Sequence, residues 1–245
     1  MVNIHKYFER VHALKGVDFS VYKGEVVGLV GDNGAGKSTL IKILAGVIPK
    51  DEGEIYWEGK KVEIRSVKDA RNLGIETVFQ EQALVDVFTL SQNVFLGREL
   101  TKTYGPIKVV DYRKMDEETR WLLRRLNLRI AESPRRELRF CSGGEKQGVA
   151  ISRAMYFQAK LIILDEPTRG LSVAGVEQVL DFVSQLKKEG IACIFITHNF
   201  QHVYPVADRF VLLSRGVKVL DEPKSSLSIE KLEARVIEAA KDASF

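Results

Sequence analysis

The run Gly31-Asp32-Asn33-Gly34-Ala35-Gly36-Lys37-Ser38 fits the spacing G-x-x-x-x-G-K-[ST]. Glycines at those places let a backbone curl until several N–H groups face one point, and that arrangement suits phosphate oxygens. Lys37 would bring a compact positive charge to the β- and γ-phosphates, and the hydroxyl of Ser38 could ligate Mg²⁺. Thr39 opens the following helix, whose positive N-terminal end adds to the attraction. A second chemical signal is Leu161-Ile162-Ile163-Leu164-Asp165-Glu166, four apolar residues delivering two adjacent carboxylates. Asp165 is placed to hold Mg²⁺, and Glu166 to polarise a water attacking the γ-phosphate. No Asn-Lys-x-Asp stretch for reading guanine occurs, which favours ATP.

These groups need a scaffold. Glu25 to Val30 reads as a buried strand feeding the glycine loop, and Lys37 to Gly46 as a helix. Val2–Ile4 and Val17–Val21 alternate like half-buried strands. Glu54–Val62 reads as a hairpin turning at Glu-Gly-Lys, Ser66–Asn72 as a helix capped by Ser66, and Ile75–Phe79 as a strand. From Leu90 to about Ala154 no strand is expected. Helices at Met115–Leu126, with Met115, Trp121, Leu122 and Leu126 as its apolar positions, and at Gly144–Met155 suggest a separate helical lobe. Strands return at Leu161–Leu164, Ile191–Ile196 and Phe210–Leu213. Helices are expected at Val173–Glu189 and Ile229–Ala240, with a hairpin turn at Arg215-Gly216. Strands alternating with helices imply an α/β fold with a mainly parallel sheet.

The chain has 245 residues, 45% hydrophobic and 29% charged, as a globular domain does. No run of about 18 apolar residues is present, so no helix is expected to span a bilayer, and the start lacks a signal peptide's apolar core. Cys141 and Cys193 are too few for a disulfide framework or a zinc site and suit a reducing compartment. A net charge of +4, mixed along the chain, gives no nucleic-acid footprint. The densest basic stretch, Arg124–Arg129 with Arg135 and Arg136, reads as a solvated helix face and loop, with contact to an acidic partner or lipid headgroups as the alternative.

Cys141-Ser142-Gly143-Gly144-Glu145-Lys146-Gln147 opens a helix with Ser142 as N-cap, a second anion-binding helix start in one chain. It resembles the signature of the ABC ATPases, usually Leu-Ser-Gly-Gly-Gln. The resemblance implies a P-loop NTPase core with a mainly parallel sheet, an N-terminal antiparallel β subdomain and an inserted helical subdomain at about 88–156 of a single 1–245 domain. It implies that Phe8 stacks on adenine, that Gln80 senses the γ-phosphate and contacts the metal, and that His198 is the switch histidine. Gly31, Asn33, Gly34, Ala35, Gly36, Lys37, Ser38 and Thr39 would hold ATP. Ser142, Gly143, Gly144 and Glu145 would close over the nucleotide of a second copy. Two departures stand out: Cys141 and Glu145 within the signature, where Cys141 is read as a small core residue, and Ser172 where the family usually places an Asp that crosses to its partner.

The interval from Gln80 to Ser142 is too short for the coiled coil of DNA-repair members, and translation factors of the family carry two cassettes. Asn93–Glu99 and Ala154–Lys160 look like the simple-sugar (ribose, galactose, xylose) importers. That likeness implies ATP hydrolysis with Mg²⁺ at the cytoplasmic face of the cell membrane, with permease subunits and a solute-binding protein as partners. The alternatives are a soluble ABC ATPase acting on nucleic acid or ribosomes, or an importer of another small solute. Phe88, Leu90, Val94, Phe95 and Leu96 could form an apolar groove for a permease helix, or simply the lobe's core.

Overall fold

The computed structural model describes residues 1–79 and 84–241. They form two compact units. One comprises 1–79, 159–167 and 186–241, and the other 84–158 and 168–185.

The first unit holds two sheets. In the smaller, β1 (Val2–Phe8), β2 (Val11–Val17), β4 (Glu52–Trp57) and β5 (Lys60–Val62) lie in the order β2-β1-β4-β5, antiparallel throughout. The expected strand at Val17–Val21 is not there: β2 ends at Val17, and Phe19 is buried from a loop. Alternation of apolar residues continued past Val17 because the loop also faces the core. The turn Glu58-Gly59 sits where it was expected, both residues at positive φ.

The larger sheet contains β3 (Val26–Val30), β6 (Ile75–Val78), β9 (Leu161–Asp165), β10 (Ala192–Ile196), β11 (Arg209–Ser214) and β12 (Val217–Pro223). Its order is β12-β11-β3-β10-β9-β6, parallel except for the β11–β12 hairpin. β3, β10 and most of β9 are buried at every position, as continuous apolar runs require of strands covered on both faces. Val27, Leu29, Ile163, Ile194 and Val211 share one buried cluster with Ile4, Leu14 and Ile55 of the antiparallel sheet and with Leu40 and Ile41 of α1 (Lys37–Leu44). That core fixes where the loop between β3 and α1 can lie. Three more helices belong to this unit: α2 (Val67–Asn72), capped by the Ser66 side chain, α7 (Phe200–Val203) and α8 (Ile229–Lys241).

The second unit is mainly helical: α3 (Leu90–Phe95), α4 (Tyr112–Arg125), α5 (Gly143–Tyr156) and most of α6 (Val173–Lys188). It also contains a hairpin, β7 (Thr101–Tyr104) with β8 (Ile107–Val110), in a stretch where no strand was expected. α4 buries Met115, Leu122 and Leu123, with Leu126 closing its end, but Trp121 faces outward under the Arg125 guanidinium, 4.5 Å from the ring centroid. Leu90, Val94 and Phe95 are wholly buried, so three of the five groove candidates are lobe core. Leu96 is half-buried and Phe88 partly exposed. Much of the basic stretch is neutralised locally. Arg124 pairs with Glu132 at 3.0 Å, and Arg135 reaches the buried Asp116 at 2.6 Å. Among the described residues no helix is long and apolar enough to cross a membrane.

Candidate nucleotide site

The phosphate loop joins the buried strand β3 to α1 within the first unit. Gly31 has φ +142, and a Cβ there would lie 2.2 Å from the Leu213 carbonyl oxygen, so only glycine fits. Asp32, Asn33, Gly34 and Ser38 are exposed, while Ala35 and Lys37 are buried. Gly36 precedes α1 with no side chain capping the first turn, which leaves the helix start open to an anion. The Lys37 ammonium donates to the carbonyls of Gly31 at 2.5 Å and Asp32 at 2.9 Å. Burial pushes its pKa below the ordinary lysine value, and the carboxylates of Glu166, Asp32 and Asp165 oppose that shift. A desolvated cation whose hydrogen bonds among the described residues go to two neutral carbonyls is a strong attractor for a phosphate group.

The acidic pair arrives from β9, next to β10 in a parallel register that sets Asp165 beside Ile196. Burial raises the pKa of Asp165, and the Glu166 charge adds to the rise. A carboxylate so destabilised gains from any nearby cation, and it and the exposed Ser38 hydroxyl are oxygen donors of the kind a hard ion such as Mg²⁺ takes. Glu166 follows in a left-handed conformation, φ +50, with its N–H bonded to the Ile196 carbonyl at 2.9 Å. Its Oε1 accepts from His198 Nδ1 at 2.8 Å and from the His198 backbone N–H at 3.2 Å. A carboxylate only accepts, so Nδ1 is the donor in this contact and Nε2 is the ring atom left for another partner. The structure thus brings together Glu166 and His198, two residues 32 positions apart.

The sequence reading did not single out Thr197. Its hydroxyl lies 3.4 Å from Glu166 Oε2 and accepts from the Asn199 N–H at 3.0 Å, bracing the carboxylate from its other side. Its position beside His198 was the available signal. Phe8 ends β1, exposed, opposite Val11 in the hairpin register. Further along β2, the Ala13 carbonyl and Leu14 lie against Gly36, so the same hairpin that carries Phe8 borders the phosphate loop. Gln80 lies outside the described residues; β6 before it pairs with β9.

The other group of candidates belongs to the second unit. Ser142 caps α5 and forms a capping box with Glu145: Ser142 N–H to Glu145 Oε2 is 2.7 Å and Glu145 N–H to Ser142 Oγ is 3.3 Å. Glu145 therefore has a structural partner, and its second oxygen is what remains for a ligand. Ser142 and Gly143 are exposed. Gly144 is buried, and a Cβ there would meet the Gln178 side chain at 2.3 Å and the Gly175 Cα at 3.1 Å, so close packing of α5 on α6 also demands glycine. Cys141, expected in the core, is half-buried. Ser172 accepts from the Gly175 N–H at 3.3 Å and caps α6.

Comparison with known proteins follows the same lines. The family model described as ABC transporter matches residues 14–169. The xylose/arabinose import ATP-binding protein XylG of Sulfolobus acidocaldarius is 44% identical, over 94% of this chain and 90% of its own length. The fructose import ATP-binding protein FrcA of Rhizobium meliloti is 41% identical, over 91% and 88%. The ribose import ATP-binding protein RbsA of Caldanaerobacter subterraneus is 38% identical over 88% of this chain but only 42% of its own length. Among solved structures, a nucleotide-free ATP-binding cassette from an ABC transporter superposes with TM-score 0.84 at 27% identity, covering 98% of this chain and 96% of that one.

Proposed function

The chain belongs to the ABC transporter family as an ATP-binding, ATP-hydrolysing cassette, and we propose that it energises an importer of simple sugars. The observation that carries the sugar reading is the 44% identity to a xylose/arabinose import subunit across nearly the whole of both chains. The fructose and ribose import relatives support the same class.

In the mechanism that best suits the geometry, the nucleotide's phosphates take the open start of α1 and draw Lys37 away from the Gly31 and Asp32 carbonyls. Phe8 offers a ring to adenine. Ser38 and Asp165, with Gln80, would hold Mg²⁺, which would supply neutralising charge to the phosphates. Glu166 is the base that accepts the proton of the attacking water, and His198 and Thr197 hold its carboxylate in one orientation. His198 Nε2, the ring atom turned away from Glu166, is the atom that would donate to a γ-phosphate oxygen. Ser142, Gly143, Gly144 and Glu145 serve the nucleotide of a second copy, so that two cassettes enclose two ATP molecules. The pair would sit on permease subunits at the cytoplasmic face of the membrane, fed by a solute-binding protein.

Assembly gives one test. Glu166→Gln, which retains ATP, is expected to sediment as a dimer with ATP and as a monomer without nucleotide, because the bound ligand adds affinity only to the closed state. A monomer under both conditions would remove the composite site. Substrate gives another. With the permease and solute-binding protein in liposomes, ATP turnover is expected to rise severalfold when the binding protein carries a pentose or hexose. A response to an amino acid or a metal, and to no monosaccharide, would overturn the sugar reading and leave the ATPase intact.

A further inference from the structure

The hairpin β7–β8 has no role in the site described above. It stands as its own two-stranded sheet, and every residue from Thr101 to Val109 is exposed. Such a hairpin buries too little to be stable alone, so its exposed apolar groups call for an occupant. The cross-strand register sets Lys102 opposite Val109 and Tyr104 opposite Ile107, which puts those four side chains on one face. Tyr104 is 60% exposed, Ile107 63% and Val109 44%. The tip between Tyr104 and Ile107 is Gly105-Pro106, where proline offers no N–H to desolvate.

The charges identify the occupant. The ten residues 101–110 contain two lysines and no carboxylate. Neither Lys102 nor Lys108 forms an ion pair among the described residues, whereas Arg124 and Arg135 nearby in sequence are each paired. Lys102 lies over the Tyr104 ring at 5.4 Å. With a strand rise of about 3.3 Å, Lys108 sits one residue and Lys102 two residues behind the Tyr104–Ile107 pair. An aromatic and an aliphatic side chain at a tip, with lysines about 3–7 Å behind, match the layering of a bilayer surface, in which apolar groups enter and cations stay at the phosphates.

We propose that the β7–β8 hairpin is a membrane-contact element, setting Tyr104 and Ile107 among the headgroups of an anionic bilayer with Lys102 and Lys108 at lipid phosphates. It rests on the reading of this chain as a subunit that works beside a membrane. Its occupant is the lipid surface itself, not the permease.

The test is co-sedimentation of the full chain, without permease, on vesicles of equimolar phosphatidylcholine and phosphatidylglycerol and on phosphatidylcholine alone. Binding is expected only to the anionic vesicles. The double variant Lys102→Ala/Lys108→Ala is expected to weaken it roughly 30-fold, the weight of two lysines at an anionic surface. Tyr104→Ser/Ile107→Ser is expected to weaken it as well, with ATP turnover in solution unchanged in both variants. That turnover shows the variants folded and keeps this test separate from the ATPase assignment. Equal binding to both vesicle types, or variants that bind like the parent, would overturn the proposal. Vesicle binding that appears only once permease is present would assign the face to that protein and overturn it too.

Discussion

Glu166→Gln is expected to slow ATP hydrolysis roughly 10²–10⁴-fold while leaving ATP affinity unchanged, the loss that follows removal of a positioned base. The amide keeps the shape of the carboxylate, so the contacts with His198 Nδ1 and Thr197 Oγ1 can persist and the left-handed backbone is no worse served. What disappears is an oxygen basic enough to take a proton. Single-turnover hydrolysis together with a direct ATP-binding measurement separates the two quantities. Turnover close to the parent's would place the base elsewhere. A parallel loss of ATP affinity would mean the substitution had disturbed the loop rather than the chemistry.

Lys37→Ala acts on the opposite quantity. The ammonium is desolvated, and its hydrogen bonds among the described residues go to the Gly31 and Asp32 carbonyls, so its removal is expected to cost the nucleotide-free fold little. A charge-assisted bond to phosphate is worth about 1.5–3 kcal/mol, so ATP affinity is expected to fall on the order of 10- to 100-fold. At saturating ATP the parent should melt at a higher temperature than without it. In the variant at the same ATP concentration most of that rise is expected to vanish, since ligand stabilisation follows occupancy. A variant whose melting temperature fell sharply without nucleotide, yet still rose with ATP, would make Lys37 a structural residue.

The parts of the site that were legible in the sequence are those where one backbone demand selects one residue type. The curl at Gly31 and the buried run before Asp165 are of that kind. The contact of Glu166 with His198 rests on strand order and register, which a single sequence does not state; only the likeness of both residues to a family pattern pointed to the pair. Thr197 escaped notice because a threonine after a strand is common and its role depends on what lies across the sheet. The hairpin at 101–110 was missed for a different reason. Its alternation carries lysines and threonines among the apolar residues and none of it joins a core, so the usual sign of a strand, one face turned inward, is missing. Trp121 differs from the other apolar positions of its helix: it faces outward, and a cation above its ring lets it stay in water.

With Glu166 as the proposed base, its positive φ sets folding and turnover at odds in one residue. Glycine and asparagine adopt that backbone more readily, with a difference of about 1 kcal/mol against an ordinary side chain. Selection for a robust fold alone therefore drives this position away from a carboxylate, while selection for flux holds it in place. A chain that lost its transport duty would drift here early, and the drifted protein would be the sturdier of the two.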